Sequence, residues 1–310
     1  MRLSGKKIVV TGGCGFIGSH VVAKLANEGC EVVIIDDLTT GRVENIIGIE
    51  GTLNHCNMSV TDDIGKYMVG AEAVFHLAAN VSVIKSVENP LYDAEVNVKG
   101  TVNMLELARK LDIPRVIYSS SCAVYGDTET IPSPETVEPT PTAPYGNSKH
   151  VGELYCRLYS SLYGINTVSL RYFNVYGLRQ AADSPYSGVI AVFIKNALER
   201  KPLVIYGDGK QSRDFVSVAD VVRANMLAAE SDHGGEVFNI GTGISTQINK
   251  LADIIEGLAG GLGREHRDAR RGEIMLSLAD ITKAQHVLGY EPTVSLEQGL
   301  KVLYEANRSK

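Results

Sequence analysis

The 310-residue chain has few features of an extracellular or nucleic-acid-binding protein. Its five cysteines are scattered and none belongs to a CxxC pair, which argues against a disulfide framework or a zinc site and is typical of reduced thiols. The seven histidines follow no metal-ligand spacing, so we expect no bound metal. Acidic residues outnumber basic ones by 36 to 30, and a net charge of −6 argues against nucleic-acid binding.

Long apolar segments, internal repeats and low-complexity tracts are also missing. No stretch approaches the roughly 20 apolar residues that a membrane helix needs. No secretory leader precedes Lys6 and Lys7. With 44% hydrophobic and 21% charged residues, the composition is that of an ordinary globular protein. We therefore expect a cytoplasmic protein that does not enter the membrane.

The sequence does contain an alternation of short β-branched runs with helical patterns. Nearly continuous apolar strands separated by helices are typical of a parallel sheet covered on both faces. We predict an α/β protein with a Rossmann-type doubly wound parallel sheet, which binds ligands at the carboxyl ends of its strands. The predicted strands are residues 7–11, 31–35, 52–56, 73–77, 115–119 and 166–171, and predicted helices include residues 17–27, 97–111, 189–200 and 248–258.

A proline-rich surface loop, residues 128–144, precedes another predicted helix, residues 145–163. Apolar residues in this helix recur with the spacing i, i+3, i+4, i+7, which predicts one buried stripe. The stripe consists of Val151, Leu154, Tyr155, Leu158 and Leu162. After Asn174 the alternation is looser, which predicts a second, smaller α/β lobe that is partly interleaved with the first.

A phosphate-cradling loop follows the first predicted strand. Gly12, Gly15 and Gly18 permit a tight turn, close approach of the backbone to a pyrophosphate, and close packing of helix on strand. Gly13 allows a second framing, Gly13-x-Gly15-x-x-Gly18, so the spacing does not identify the subfamily. The loop predicts a dinucleotide site.

The end of the second strand bears on the choice of dinucleotide. A carboxylate at Asp36 is expected to hold the adenosine ribose hydroxyls and repel a 2′-phosphate, which favours NAD over NADP. Arg42 keeps NADP open, because an arginine past this strand could accept that phosphate. Asp37 is by itself typical of a solvated loop carboxylate.

Tyr145 and Lys149 are four residues apart on the predicted helix and therefore share one face. A nearby cation favours the ionised phenol, so a tyrosine whose ordinary pKa is about 10 can act as a base near neutral pH. Three serines, residues 119–121, lie at a strand end where such a sheet presents ligands. One of their hydroxyls can hydrogen-bond the substrate oxygen that Tyr145 deprotonates, which predicts oxidation of an alcohol.

These ordered motifs resemble the extended short-chain dehydrogenase/reductase family, specifically nucleotide-sugar 4-epimerases of the UDP-galactose/UDP-glucose type. The resemblance runs from Lys7 to about Tyr290. It implies NAD as cofactor and Ser121, Tyr145 and Lys149 as the catalytic triad. It also implies C4 epimerisation of a UDP-hexose through a transient 4-keto sugar, and a homodimer packed through helices that include residues 145–163.

The resemblance also implies a set of cofactor contacts. Residues 76–79 match the segment of the fourth strand beside the cofactor, and residues 171–174 match the segment that closes on it. Asn57 stands where the family often has an acidic residue that meets the adenine. The expected cofactor-binding residues are Gly12, Gly15, Phe16, Ile17, Gly18, Asp36, Asp37, Thr40, Gly41, Asn57, Met58, Leu77, Ala78, Ala79, Asn97, Ser119, Tyr145, Lys149, Tyr172 and Phe173.

A second set of residues is implied for the UDP-sugar. Tyr206 matches the uracil-stacking position, although it could also be a packed strand aromatic, and Arg213 and Arg270 match the diphosphate clamps. Arg271 is an alternative clamp. Ser277 stands where some members carry a bulky tyrosine, so we expect a C2 N-acetyl group to be accepted. The expected substrate-binding residues are Ser121, Tyr145, Asn174, Gly188, Val189, Tyr206, Arg213, Arg270 and Ser277.

Related functions differ from this one in the residues that they need. A 4,6-dehydratase usually needs an Asp-Glu pair beside the catalytic serine, where this chain has Cys122 and Ala123. A UDP-glucuronate 4-epimerase and a non-catalytic NAD-binding sensor stay as alternatives. We expect residues 1–174 to form the NAD-binding Rossmann domain and residues 175–310 the UDP-sugar lobe.

Overall fold

The computed structural model describes residues 3–181, 188–269 and 274–308. Its strands have the following bounds: β1 Lys7–Thr11, β2 Glu31–Ile35, β3 Thr52–Cys56, β4 Ala73–His76, β5 Arg115–Ser121, β6 Asn166–Tyr172, β7 Asn174–Tyr176, β8 Leu203–Tyr206, β9 Ser212–Arg213, β10 Phe215–Ser217, β11 Glu236–Ile240, β12 Thr246–Gln247, β13 Arg264–Arg267 and β14 Leu276–Ser277.

The α-helices alternate with these strands over most of the chain. Their bounds are α1 Phe16–Asn27, α2 Gly65–Met68, α3 Val83–Glu88, α4 Pro90–Ala94, α5 Gly100–Lys110, α6 Pro144–Tyr163, α7 Val189–Leu198, α8 Val218–Glu230, α9 Ile248–Ala259, α10 Thr282–Leu288 and α11 Leu296–Arg308. Short 3-10 helices cover Val43–Asn45 and Cys122–Tyr125, and a π-helical turn, Glu95–Lys99, leads into α5.

The main sheet has seven parallel strands in the order β11-β6-β5-β4-β1-β2-β3. Successive residues of a strand face opposite sides of a sheet. Accordingly, Ile8 and Val10 belong to the core on one face of β1 and Val9 to the core on the other. Both faces are buried, which confirms the predicted doubly wound α/β fold.

The predicted strand and helix positions agree with the structure to within a few residues. β1, β2 and β3 have the predicted bounds, whereas β5 continues to Ser121 and β6 to Tyr172. The predicted helix of residues 97–111 is a π-helical turn followed by α5. The π-helical turn was missed because apolar periodicity does not distinguish an i→i+5 turn from an α-helical one.

The predicted buried stripe of α6 is wrong at its three leucines, whereas Val151 is half-buried and Tyr155 packs against the core. Leu154, Leu158 and Leu162 are 48%, 46% and 61% exposed. The side of α6 that packs on the protein contains small and polar residues, among them Gly152 and Glu153, together with Cys156 and Tyr159 of the core. Periodicity identifies an apolar helix face, but it does not say whether that face meets the same chain.

Residues beyond 174 contribute to both lobes. β11 pairs in parallel with β6 and thereby extends the main sheet. A separate core gathers Phe193 and Leu203 with Leu251 and Leu300, from α7, β8, α9 and α11. Small pairings, β10 with β7 and β9 with both β12 and β14, connect this part of the chain to the carboxyl end of β6. The sheet edge therefore carries side chains from both segments.

Candidate active site

The turn after β1 is sterically restricted to glycine. Gly12 has a φ of 68°, a conformation that L side chains rarely adopt, and a Cβ there would lie 2.7 Å from the backbone nitrogen of Ala78. A Cβ on Gly18 would overlap the carbonyl oxygen of Gly12. The Gly15 N–H donates to that same carbonyl at 3.1 Å and closes the turn. The glycines thus permit the close packing of β1, α1 and the segment after β4.

The amino end of α1 is suited to bind an anion. Its N-cap residue, Gly15, offers no side-chain cap, and the first turn contains no acidic residue. The N–H groups of the first turn lack partners within the helix and carry partial positive charge. Phe16, Ile17 and Gly18 therefore present backbone donors as a dinucleotide pyrophosphate requires.

Asp36, at the carboxyl end of β2, is a buried carboxylate held by the backbone. It accepts hydrogen bonds from the N–H groups of Cys14 and Leu38, each at 2.9 Å. Burial raises its pKa, and these two hydrogen bonds oppose the rise. A Cβ on Gly41 would lie 2.6 Å from Asp36 Oδ1, so the loop with Thr40 passes closely over the carboxylate. Ribose hydroxyls can still donate to its remaining lone pairs.

Other residues predicted at the adenosine lie around this strand end. Asp37 is exposed and accepts from the Thr39 N–H at 2.9 Å, as expected of a loop carboxylate. Asn57 is exposed after β3, and Met58 packs against the core on that face of the sheet. The glycine turn, the bare helix end and the Asp36 carboxylate together fit NAD.

Asn97 fixes the segment after β4. Its side-chain oxygen accepts from the Asn80 N–H at 2.8 Å, and its amide group donates to the Asn80 carbonyl at 3.0 Å and to Asp93 at 2.9 Å. Asp93 is fully buried and also accepts from Ser148 of α6. Leu77, Ala78 and Ala79 are thereby held beside the glycine turn. Sequence reasoning missed Asp93, because a single acidic residue in a helix gives no pattern.

The structure brings Ser121 and Tyr145 together. A hydrogen bond joins their hydroxyl groups, and Ser121 Oγ also accepts from the Ala123 N–H at 3.2 Å. Tyr145 lies in the first turn of α6, where its backbone N–H donates to Ser86 Oγ at 3.1 Å. A sugar hydroxyl at this position could contact both side-chain oxygens.

Lys149 is buried on the same face of α6. Its ammonium donates to the Ser119 carbonyl at 2.7 Å and lies 5.0 Å from the centre of the Tyr118 ring. Burial lowers its pKa to about 8, with Asp93 the strongest of the opposing influences. Burial and the charge of Lys149 together lower the pKa of His76 to about 3, which keeps that imidazole neutral.

The expected effect of Lys149 on the pKa of Tyr145 stays a prediction. Burial raises the pKa of the Tyr145 phenol to about 12, and the hydrogen bond from Ser121 is what lowers it. The ammonium is instead held by the Ser119 carbonyl. Helical spacing places both residues on one face, but it does not give the degree of burial, which dominates here.

Tyr172 and Phe173 lie at the end of β6. The Tyr172 hydroxyl donates to Asn225 of α8 at 3.0 Å, so this side chain is anchored in the core. Phe173 is also buried, and its ring lies 6.3 Å from that of Tyr125. The Tyr172 hydroxyl is therefore engaged in the core, and the Phe173 N–H donates to the Ile240 carbonyl at 3.0 Å.

Residues of the second segment reach the same edge. Ser277 of β14 pairs with Arg213 of β9, and the Asn174 N–H donates to the Asp214 carbonyl at 3.0 Å. The side chain of Cys122 is hydrogen-bonded to both Ser121 and Ser277. Arg213, Asn174 and Ser277 are therefore joined to the strand end that carries Ser121. Sequence reasoning placed Cys122 beside the serine but did not predict its contact with Ser277.

The remaining residues predicted to bind the substrate belong to other parts of the second segment. Tyr206 is half-buried at the end of β8 and is hydrogen-bonded to Arg267. It lines an open cavity of about 660 Å³ together with His266, Arg267 and Asp268. Gly188 precedes α7 and Val189 begins it. Arg270 and the alternative clamp Arg271 lie outside the described residues.

In residues 3–181, 188–269 and 274–308, no group of three or more His, Cys, Asp or Glu side chains could hold a metal ion. Within the same described ranges, no helix has both the length and the apolar character needed to cross a bilayer.

Comparison with known proteins gives the family. The model of the NAD dependent epimerase/dehydratase family matches residues 8–241. The chain belongs to this family. A relative from Methanocaldococcus jannaschii, named putative UDP-glucose 4-epimerase, is 44% identical over 299 residues, which cover 95% of this chain and 96% of the relative. The predicted NAD cofactor and the predicted resemblance to nucleotide-sugar epimerases are confirmed.

Two solved structures support the same relationship. A UDP-glucose 4-epimerase from Thermotoga maritima, solved with UDP-glucose, has a TM-score of 0.93 and 41% identity and covers 98% of this chain and 99% of its own. A UDP-N-acetylglucosamine 4-epimerase from Methanobrevibacter ruminantium, solved with UDP-N-acetylmuramic acid, has a TM-score of 0.95 and 38% identity and covers 99% of each chain. The epimerase fold therefore extends over nearly the whole chain.

Proposed function

We propose that the chain catalyses NAD-dependent epimerisation at C4 of a UDP-hexose, with UDP-galactose and UDP-glucose as one substrate pair. The observation that carries the proposal is the hydrogen-bonded Ser121–Tyr145 pair at the carboxyl edge of a dinucleotide-binding sheet. Lys149 on the same helix supplies the cation that the reaction uses. The names of the similar proteins support the same substrate class.

The two segments of the chain have different tasks in this proposal. Residues 1–174 hold the cofactor through the glycine turn, the amino end of α1 and Asp36. Residues 175–310 hold the nucleotide, with Tyr206 against the uracil and Arg213 and Arg270 on the diphosphate. Guanidinium groups suit this role because their N–H groups match pairs of phosphate oxygens.

The catalytic steps follow from the hydroxyl pair. Bound NAD supplies a hydride acceptor for C4 and a cationic ring whose charge favours the ionised phenol. Tyr145 takes the proton from the C4 hydroxyl, while Ser121 donates to the same oxygen and orients it. The 4-keto sugar turns in the pocket while Asn174, Arg213 and Arg270 hold the diphosphate. After C4 is reduced from the opposite face, Tyr145 returns the proton to the C4 oxygen.

The residues after Ser121 favour epimerisation over dehydration within the same family. Elimination of water needs an acid and a base beside the sugar. Burial raises the pKa of the Cys122 thiol to about 11, so it is protonated and a poor base at neutral pH. Ala123 offers no proton-transfer group.

We also propose that the UDP-N-acetylhexosamines UDP-GlcNAc and UDP-GalNAc are accepted. Ser277 is small and shares a hydrogen bond with Cys122 next to Ser121, so it leaves space that a larger aromatic residue would fill. The M. ruminantium structure, a UDP-N-acetylglucosamine 4-epimerase, supports this extension. A cytoplasmic location stays a prediction.

The exposed face of α6 supports a homodimer. Leu154, Leu158, Leu162 and Tyr163 are exposed on this helix, and Leu91 of the neighbouring α4 is 82% exposed. We define these five residues as the α6 face. A contiguous apolar surface of this kind is typical of a protein interface, and isologous contact of two copies would cover it.

The decisive experiment is a substrate panel without added NAD. Purified protein is incubated with each UDP-hexose, each UDP-N-acetylhexosamine and UDP-glucuronate, and the C4 epimers are quantified. We expect conversion of UDP-galactose and UDP-GalNAc, since the cofactor is regenerated in every cycle. Conversion of UDP-glucuronate alone would replace the proposed substrate. Absence of any conversion by protein that binds UDP and contains NAD would favour the non-catalytic alternative.

A further inference from the structure

Behind the candidate active site lies a buried polar network that the proposed chemistry does not use. Glu153 and Arg171 are each 3% exposed and form a two-point ion pair, with Arg171 Nε donating to Oε1 at 2.8 Å and Nη2 donating to Oε2 at 2.7 Å. Ser120 Oγ donates to Glu153 Oε1 at 2.5 Å. We call Ser120, Glu153 and Arg171 the buried triad.

Each member of the buried triad lies next to a residue of the site. Ser120 stands between Ser119, whose carbonyl holds Lys149, and Ser121. Glu153 follows Lys149 by one helical turn on α6. Arg171 is on β6, which runs toward Asn174. One polar cluster therefore connects the three elements on which the catalytic and phosphate-binding residues stand.

The packing of α6 on the sheet gives such a connection a role in fixing the position of the helix. The helix approaches β5 through Gly152, where a Cβ would overlap the Tyr118 hydroxyl group. Another small residue, Gly146, faces the carbonyl of Ala123, at 2.5 Å from an added Cβ. Small residues let a helix come close, but they provide few interlocking side chains that resist sliding along its axis. Hydrogen bonds of fixed direction can supply that resistance.

The composition of the buried triad favours a role in holding α6 in place over a contribution to stability alone. A buried ion pair often stabilises a fold no better than apolar residues of similar volume, because removing two charges from water is costly. The Arg171 guanidinium is further fixed 4.7 Å from the centre of the Tyr125 ring. The pair is thus restrained by its two mutual hydrogen bonds, by Ser120 and by the Tyr125 ring, while the buried Nη1 of Arg171 has no hydrogen-bond partner among the described residues.

We propose that Ser120, Glu153 and Arg171 are positioning residues that fix α6 along β5 and β6, so that Tyr145 and Lys149 stay aligned with Ser121. The inference rests on the proposed function, because epimerisation is its principal readout. None of the three residues touches the substrate. Misplacement of reacting groups by about 1 Å can reduce turnover by about 100-fold.

The test compares single and paired replacements. Glu153→Gln leaves Arg171 buried without its counter-charge, so both stability and kcat should fall. Glu153→Met combined with Arg171→Met removes both charges, so most of the stability should return. We expect kcat of the double variant to remain at least about 10-fold below wild type, with KM changed less than about threefold. Ser120→Ala should lower kcat with little change in Tm.

Asp220→Asn is the matched control. Asp220 is 1% exposed and accepts hydrogen bonds from the backbone of Thr293 and Val294, and none of these three is a predicted site residue. Its replacement should lower Tm while leaving kcat per folded molecule unchanged. If the double variant, Glu153→Met with Arg171→Met, regains both the Tm and the kcat of the wild type, the positioning role is overturned and only a structural role is left.

Hydrogen exchange followed by mass spectrometry adds a readout that needs no substrate. In the double triad variant, amides of residues 119–125 and 144–150 should exchange faster, while α8 and α9 keep wild-type rates. Unchanged exchange in both segments would also overturn the inference. If the wild type converts no UDP-sugar, the proposed function fails, and the exchange pattern alone still decides whether the triad holds α6 in place.

Discussion

At the residue scale, burial is the strongest influence on the ionisable groups of the candidate active site. It lowers the pKa of His76 to about 3 and that of Lys149 to about 8, and it raises that of Tyr145 to about 12. Every shift favours the neutral form. At neutral pH the chain alone therefore presents a protonated phenol, a neutral imidazole and a largely charged ammonium. In the proposed reaction, the positive charge of bound NAD would favour ionisation of Tyr145.

Replacement of Tyr145 by Phe tests the proposed base. The variant retains the ring, and hence its packing, but removes the hydroxyl that is hydrogen-bonded to Ser121. We expect kcat to fall by about 100- to 10,000-fold, the usual contribution of a positioned acid–base group. UDP affinity, measured by calorimetry, should change less than about threefold because the phenol is not among the diphosphate contacts. Retained epimerisation would reject Tyr145 as the base.

The lowered pKa of Lys149 predicts the direction in which the free energy of unfolding changes with pH. Between the folded pKa of about 8 and the ordinary value of 10.5, the unfolded chain binds more protons at this residue than the folded one. Stability contributed by this residue therefore rises with pH through that window. Relative to Lys149→Met, the free energy of unfolding of the wild type should increase from about pH 8 to pH 10.5, as measured by urea titration. A difference that decreases would contradict the burial of a lowered-pKa ammonium.

At the element scale, the parts that the sequence predicts well are those with a repeated local signal. The apolar β-branched runs of β1 and β2 are bounded by glycines and polar residues, so the first and last residues of these strands can be predicted from the sequence. Two-residue strands such as β9 and β14 contain too few residues for any period, yet they bring Arg213 and Ser277 together. Cys122 and the buried triad were likewise not predicted as a connected network, because their contacts join residues distant in sequence.

The glycine turn after β1 can be tested with two replacements that share one backbone conformation. Gly12 and Gly48 both have positive φ, at 68° and 80°, but an added Cβ has close neighbours only at Gly12. Gly48→Ala should cost about 1–2 kcal/mol and keep NAD bound, since only backbone strain is introduced. Gly12→Ala should cost more and abolish retention of NAD through its contact with Ala78. NAD per protomer after purification and urea unfolding measure the two effects.

Equal losses of NAD in the two glycine variants would mean that strain alone, rather than the close approach at Gly12, controls the cofactor site. A folded Gly12→Ala protein that retains NAD fully would show that the turn can relax around a methyl group. Either result would weaken the assignment of this turn to the pyrophosphate.

At the scale of the whole molecule, the two segments share one structural frame. β11 joins the main sheet beside β6, and the fully buried Asp214 accepts hydrogen bonds from the backbone of Thr242, Gly243 and Ala279. The loop after β11 and the end of β14 are thereby attached to the strand that carries Arg213. This arrangement keeps the residues proposed to bind the substrate in a fixed relation to Ser121, although they come from different parts of the sequence.

The α6 face gives the last prediction, which concerns association of two whole molecules. Four of its five apolar side chains project from the same helix that carries Tyr145 and Lys149, so contact between two copies would also restrain the site. Leu158→Lys places a charge on this face and should convert a dimer to a monomer, as measured by light scattering after size exclusion. Val302→Lys is the control, because Val302 is 58% exposed on α11, away from the α6 face. Dissociation by Val302→Lys but not by Leu158→Lys would move the interface to α11 and leave the apolar stripe of α6 without a partner.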